Sequence, residues 1–346
     1  MRNLDASDLA MLEWYVQWCF NLGASGALVP AEHSKSGRKH VAGGSVASAG
    51  SELALTALLP LLPQALADGL MLGAVYAIVA VGLTIAFGVL RIVNFAHGDF
   101  LAIGLYLTYI GATWLGLDPY LSLVLVLPLV TLMAAFTYRV LIAPALHAPE
   151  HNQIVVTLGL SLVLQNVMLA LFTADVHTVP AAISSHILKF GNVFVQAAAV
   201  IASVVSIAIC LSLYWFLRRT DLGRRIRAAA QDRDAALMCG VDVDRMYLLA
   251  FCIGVGSLGL VAPLIAPFNY VSPGVGANFT LAAFIVVVLG SMGNFIGALC
   301  GGFIIGLVEA VGGLVTGGSV NFVITYAIFI LFLLFKPEGL FGGSRP

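Results

Sequence analysis

Apolar residues fill nine runs along the chain, at 53–66, 71–90, 100–115, 121–142, 154–172, 193–217, 247–266, 281–315 and 320–335, with polar breaks between them. An α-helix rises 1.5 Å per residue and needs about 20 apolar residues to cross a bilayer. Several runs reach that length, the first falls short, and 281–315 is too long for one crossing and breaks at Gly290-Ser291-Met292-Gly293-Asn294. The pattern predicts an all-α, polytopic membrane helix bundle of about eight transmembrane spans, with short or re-entrant apolar elements besides.

One polar interruption is long. Residues 218–246 carry seven arginines (Arg218, Arg219, Arg224, Arg225, Arg227, Arg233, Arg245) and five aspartates (Asp221, Asp232, Asp234, Asp242, Asp244). Such side chains cost a few kcal/mol or more each at the bilayer centre, and Lys/Arg excess marks the cytoplasmic side. This loop is therefore cytoplasmic. Alternating the apolar runs from it places Arg91, Arg139, Lys336, Arg345 and the basic N-terminal stretch inside, and leaves Lys189 outside. Within the loop, residues 223–239 read as one Ala/Arg/Leu-rich helix, capped by Thr220 or Asp221 and stopped by Gly240. Ile226, Ala229, Ala230 and Leu237 fall near one face. Docking on another protein and a solvated helix with charge pairs such as Asp221 with Arg225 fit these residues equally.

Composition supports the membrane reading. Of 346 residues 60% are hydrophobic and 10% charged, against about 25% charged in soluble domains. The net charge of −1 gives no pull toward nucleic acid. Cys19, Cys210, Cys239, Cys252 and Cys300 are scattered without a CxxC pair and read as packing residues, and no metal site is expected. The sequence holds no GxxxxGK[ST] phosphate loop and no HExxH, and no Ser/His/Asp set stands out, so an enzyme reading has little support. Residues 1–52 differ from the rest: an amphipathic piece around Trp14, Tyr15 and Trp18 precedes a Gly/Ser/Ala-rich basic stretch. They read as a poorly ordered extension from an over-extended start, ahead of a membrane domain at 53–342 and a tail at 343–346.

Few residues carry candidate chemistry. Asn94-Phe95-Ala96-His97-Gly98-Asp99 is a polar break after Arg91. Non-helical backbone survives at membrane depth only when buried in protein or lining a cavity; by the alternation this break sits near the cytoplasmic surface, which favours an ordinary loop. Glu309 is the conspicuous acid of the late apolar region, ahead of a turn at Gly317 and Gly318, with no cation at i±3 or i±4. An acid there is a functional candidate by default. Asp68 reads as a loop residue. Gly293, Gly297 and Gly301 repeat at i+4 and are continued by Gly302 and Gly306, a helix-packing face best suited to contacts within the chain. Pro263, Pro267 and Ser272-Pro273-Gly274 should end the helix after the arginine loop, and 173–192 is the longest outer segment.

Three stretches carry a family resemblance. GLMLGAVYAIVAVGLTIAFGVLRIVNFAHGDFLAIGLY (69–106), RRIRAAAQDRDAALMCGVDVDRM (224–246) and VLGSMGNFIGALCGGFIIGLVEAV (288–311) resemble, in matching order, permease subunits of the branched-chain amino acid (Liv-type) ABC importers. The resemblance spans roughly 53–342 and makes that domain an importer permease. It implies a pore of two permease subunits, as a homo- or heterodimer, in the bacterial inner membrane. Two ATPase subunits dock on the cytoplasmic loops and a periplasmic binding protein delivers a small-molecule substrate. ATP and Mg belong to those ATPases, so this chain needs no cofactor and is no enzyme. The coupling segment maps to Arg224, Arg225, Ala228, Ala229, Ala230 and Asp232, with Gly240 as its stop; Asn94, His97, Asp99 and Glu309 carry over as signature positions without a role. The substrate implied is leucine, isoleucine or valine, although similar importers take urea, amides or aromatic acids. The competing class is an ion-gradient-driven transporter or channel, for which Glu309 stands nearly alone as a membrane charge.

Overall fold

The structure, a computed structural model, describes residues 59–146, 148–181, 183, 186–316, 321–336 and 339–341. The proposed extension 1–52, the tail 343–346 and the Gly317-Gly318 turn lie outside the described residues. Apolar runs become helices because lipid offers backbone groups no partner, and a helix satisfies them within one segment. The first four are α1 (Leu62–Leu90), α2 (His97–Trp114), α3 (Leu123–Thr137, continued by a π turn Tyr138–Ile142 and Ala143–Ala145) and α4 (Glu150–Phe172). There follow α5 (Ala197–Arg219), α6 (Asp221–Gln231), α7 (Arg233–Met238), α8 (Val243–Ile265), α9 (Val275–Leu289), α10 (Phe295–Thr316) and α11 (Asn321–Phe335). Among the described residues six stretches are long and apolar enough to cross a membrane: α1, α3 with its continuation, α4, α5, α8 and α10. At the outer side two short antiparallel pairs form, β1 (His177–Thr178) with β4 (Tyr270–Val271), and the hairpin β2 (Ile187–Phe190) with β3 (Val193–Gln196).

The helix α1 joins what reads in sequence as two runs. Asp68 is therefore not in a loop: it lies one turn beyond Gln64, whose Nε2 donates to both carboxylate oxygens at 3.1 and 3.0 Å. Gln64 also exchanges two 2.8 Å hydrogen bonds with the Phe194 backbone on β3, so the polar turn is satisfied without breaking the helix. The loss of one crossing places the start of α1 on the side opposite the arginine loop, beside the start of α5. The inner positions of Arg91, Arg139 and Lys336 are unchanged.

The core is built by two sets of helices that pack crosswise. In the first, α1 runs inward and α2 returns outward; in the second, α8 runs outward and α9 returns inward. α1 packs on α8 and along α10, α3 packs on α8, and α2 packs on α9. Helices in lipid gain little from the hydrophobic effect between them, so close backbone approach supplies the attraction. A Cβ on Gly82 of α1 would stand 2.5 Å from the Gly254 carbonyl of α8, and one on Gly254 would stand 2.5 Å from the Gly82 carbonyl. Gly98 of α2 and Gly276 of α9 back onto each other in the same reciprocal way. Both contacts join helices that run in opposite directions.

The glycine ladder divides its work. Gly297 and Gly301 face the preceding helix, against Gly290 and Val286, whereas Gly302 and Gly306 face Ala77 and Gly73 of α1. Gly293 belongs to neither face. It has φ +85 in the turn between α9 and α10, a left-handed conformation that L side chains seldom adopt, and it meets Gly88 at the inner end of α1.

Candidate functional site

The polar break at 94–99 is not a surface loop. Asn94, His97 and Asp99 are 1%, 0% and 0% exposed. After α1 the chain turns back, and the His97 ring donates from Nε2 to the Val79 carbonyl at 3.0 Å. Val79 lies eleven residues before the end of α1, about 16 Å up its axis. So α2 begins near mid-membrane, inside protein, where its polar groups find partners. Asn94 Oδ1 accepts from the Ala96 N–H at 3.2 Å, and the Gly98 N–H donates to Thr280 Oγ1 on α9 at 2.9 Å. Asp99 sits in the first turn of α2, where the helix dipole favours an anion. It accepts from Ser161 Oγ at 2.5 Å and Gln165 Nε2 at 3.0 Å, both on α4.

Those α4 partners were missed in sequence. Thr157, Ser161 and Gln165 repeat at i+4, and Thr157 Oγ1 donates to the Val93 carbonyl at 3.0 Å. A polar stripe of that period on an otherwise apolar span is the signal that would have found them. It fastens α4, whose Val155, Leu162, Val163 and Leu171 are exposed, to the buried turn.

Glu309 lies elsewhere, on the half-exposed side of α10 facing α1, and interacts with the Tyr76 hydroxyl. With Asp68 it lines a cavity of about 400 Å³ among the outer ends of α1, α5, α8 and α10. The structure thus separates the four signature positions: Asn94, His97 and Asp99 share one buried cluster, and Glu309 does not join it.

At the cytoplasmic face the expected single helix 223–239 is two. Thr220 caps α6, its side chain accepting from the Gly223 N–H at 3.1 Å, and Asp232 interrupts the run by capping α7, accepting from the Asp234 and Ala235 N–H groups at 3.0 Å each. Gly240 ends α7 with φ +76; its N–H donates to Leu237 O, and the Val241 N–H donates to Ala236 O, closing a Schellman turn. The expected Asp221–Arg225 pair is instead Asp221–Arg224 at i,i+3. Hydrogen bonding to the Arg224 guanidinium holds the Asp221 carboxyl below its ordinary value. Gly223, Ile226 and Ala229 turn inward and are buried as α6 packs on α1, α5 and α8. Ala228 faces solvent with Arg224 and Arg225, Ala230 is half-buried, and Leu222, Leu237 and Met238 are 42%, 50% and 87% exposed.

A family model described as branched-chain amino acid transport system / permease component matches residues 65–333, nearly the whole described bundle. The chain belongs to this permease family. Curated relatives agree. The high-affinity branched-chain amino acid transport system permease protein BraD of Pseudomonas aeruginosa is 30% identical over 292 residues, 81% of this chain and 95% of that protein. LivH of Escherichia coli K12, with the same description, is 30% identical over 294 residues, with the same coverage. A probable LivH of Methanocaldococcus jannaschii is 27% identical over 77% of this chain and 88% of that protein. No solved structure matches the chain. Within this permease, the buried turn, the outer cavity and the paired cytoplasmic helices are three separate features on one continuous bundle.

Proposed function

We propose that this permease is the membrane-spanning subunit of an ATP-driven importer, carrying leucine, isoleucine and valine across the bacterial inner membrane by alternating access. What supports the reading best is the cytoplasmic helix pair: α6 is anchored to α1, α5 and α8 through one face, while Leu222, Leu237 and Met238 stay exposed beside the twelve exposed charges of a loop that cannot enter lipid. Exposed apolar side chains rimmed by charge suit a protein partner. Two ATPase subunits dock there, holding ATP and Mg²⁺. A second permease chain, identical or homologous, completes the pore. A periplasmic binding protein lands on the outer segment 173–196, whose Val176, Ile187, Phe190 and Phe194 are exposed. Hydrolysis drives transport because the ATPases bind the α6–α7 surface differently in their two states, and only differential affinity shifts a conformational population.

The test is purification of the chain from membranes with its operon expressed. Recovery of two ATPases and a second permease, with hydrolysis stimulated by a leucine-loaded binding protein, is the expected result. Recovery of this chain alone, still moving solute in liposomes under an ion gradient, would replace the importer with a secondary transporter.

A further inference from the structure

The outer cavity is chemically mixed. Met71 and Leu72 of α1, Phe268 beyond α8 and Ala310 of α10 give it apolar lining. Asp68 of α1 and Glu309 of α10 add two carboxylates, on helices that pack against each other. Among the described residues the ion pairs are Arg224–Asp221 and Arg245–Asp242, both cytoplasmic, and none of the residues lining the cavity is basic. Its volume of about 400 Å³ falls within the usual range for small-molecule pockets, roughly 300–1,000 Å³. The lining comes from the outer side: the start of α1, the start of α5, the turn after α8 and the later part of α10.

Ala199 of α5 also lines the cavity, three residues after the Gln196 cap. The cavity therefore offers two complementary surfaces: acid for a cation and apolar side chains for an aliphatic group.

We propose that this cavity is the outer receiving site of the permease, and that Glu309 and Asp68 bind the ammonium group of a zwitterionic α-amino acid while Met71, Leu72 and Phe268 pack on its side chain. The proposal rests on the importer reading above and sharpens it, because urea and simple amides carry no cation for the two carboxylates. Glu309 is the deeper of the two, at the Tyr76 hydroxyl, and so marks the inward end of the site.

The experiment separates this site from the importer reading. Ala199→Cys is placed in the complete importer with Cys19, Cys210, Cys239, Cys252 and Cys300 replaced, and labelled from outside in proteoliposomes with methanethiosulfonates bearing an ammonium or a sulfonate. The ratio of the two labelling rates reports the charge of the cavity. Asp68→Asn with Glu309→Gln is expected to lower that ratio at least fivefold, and Glu309→Asp to keep it. Leucine-loaded binding protein with ATP is expected to slow labelling, and Glu309→Gln to lower leucine imported per ATP hydrolysed at least tenfold. Gly313→Cys provides a second labelling position on the same cavity. A ratio unmoved by removing both carboxylates overturns the proposal, as does a wild-type importer that carries leucine without protecting either cysteine. Should the wild-type complex import no leucine while the charge preference stands, the importer reading fails and the cation-selective cavity does not.

Discussion

Replacing Gly98 by alanine puts the crosswise packing to a quantitative test. The added Cβ would lie 2.0 Å from the Gly276 carbonyl oxygen, 2.5 Å from Thr280 Oγ1 and 2.8 Å from the Thr280 nitrogen, where ordinary contact begins at 3.4 Å. Two of those three atoms are backbone, so no side-chain rotation relieves the clash and α2 must part from α9 by over 1 Å. Overpacking of this kind costs about 1–3 kcal/mol. The 2.9 Å hydrogen bond from the Gly98 N–H to Thr280 Oγ1 is lost with the separation, at about 1 kcal/mol more. The sum is about 2–4 kcal/mol, which for a chain of this size lowers a thermal midpoint by roughly 3–6 °C. The assay is the temperature at which half the detergent-solubilised protein leaves the monodisperse peak on size exclusion. Gly159→Ala is the control, since nothing lies within 4 Å of a Cβ at that position of α4. A Gly98→Ala midpoint equal to that of the control would refute the contact between α2 and α9.

Other substitutions test the remaining features. Asp99→Ala strips the buried Ser161 hydroxyl and the half-buried Gln165 amide of their acceptor and should lower stability by about 2–3 kcal/mol, whereas Asp99→Asn keeps an acceptor and should cost less; equal midpoints for the two would remove the α2–α4 fastening. On the cytoplasmic surface, Met238→Asp should leave the protein abundant and reduce ATPase stimulation by loaded binding protein several-fold. Ala229→Glu should instead reduce abundance in the membrane, because Ala229 is 2% exposed beneath α6; abundant protein carrying that change would show the helix turned the other way. The Asp221–Arg224 pair is fully exposed and should add nothing measurable near neutral pH. Because the folded carboxyl is shifted downward, any contribution is complete above the ordinary value of 3.8 and is lost as pH falls through the lowered one. An Asp221→Asn midpoint that departs from wild type at pH 7 would contradict this.

Much of this architecture is legible in the residue pattern because bilayer thickness and charge burial act on single segments. The arginine loop, the break at 290–294 and the ends of α5 and α8 need no knowledge of neighbours. What escaped needs neighbours. The depth of 94–99 depends on Val79, Thr280, Ser161 and Gln165, which stand up to 182 positions away in the chain. Without those partners a polar turn belongs at the interface, and sequence reasoning put it there. Asp68 stays helical because Gln64 ties it to Phe194, a contact 130 positions away. The split at Asp232 was a local choice: its side chain offers two N–H groups an acceptor, and the capping it gives α7 outweighs one continuous helix. Of the candidate residues, the pattern identified the unusual ones and the fold decided which belong together.

The reciprocal contact at Gly82 and Gly254 gives α1 a fulcrum. Gly82 stands twenty residues from the outer end of the helix and eight from the inner end, about 30 Å and 12 Å of axis. A rigid rod turning about that point moves its outer tip about 2.5 times as far as its inner tip. The inner arm carries α6, and the outer arm carries Met71, Leu72 and Asp68. Turning α1 about that contact by 1 Å at its inner end would shift its outer end by roughly 2–3 Å, and α10, packed on Gly73 and Ala77 of the long arm, would have to travel with it.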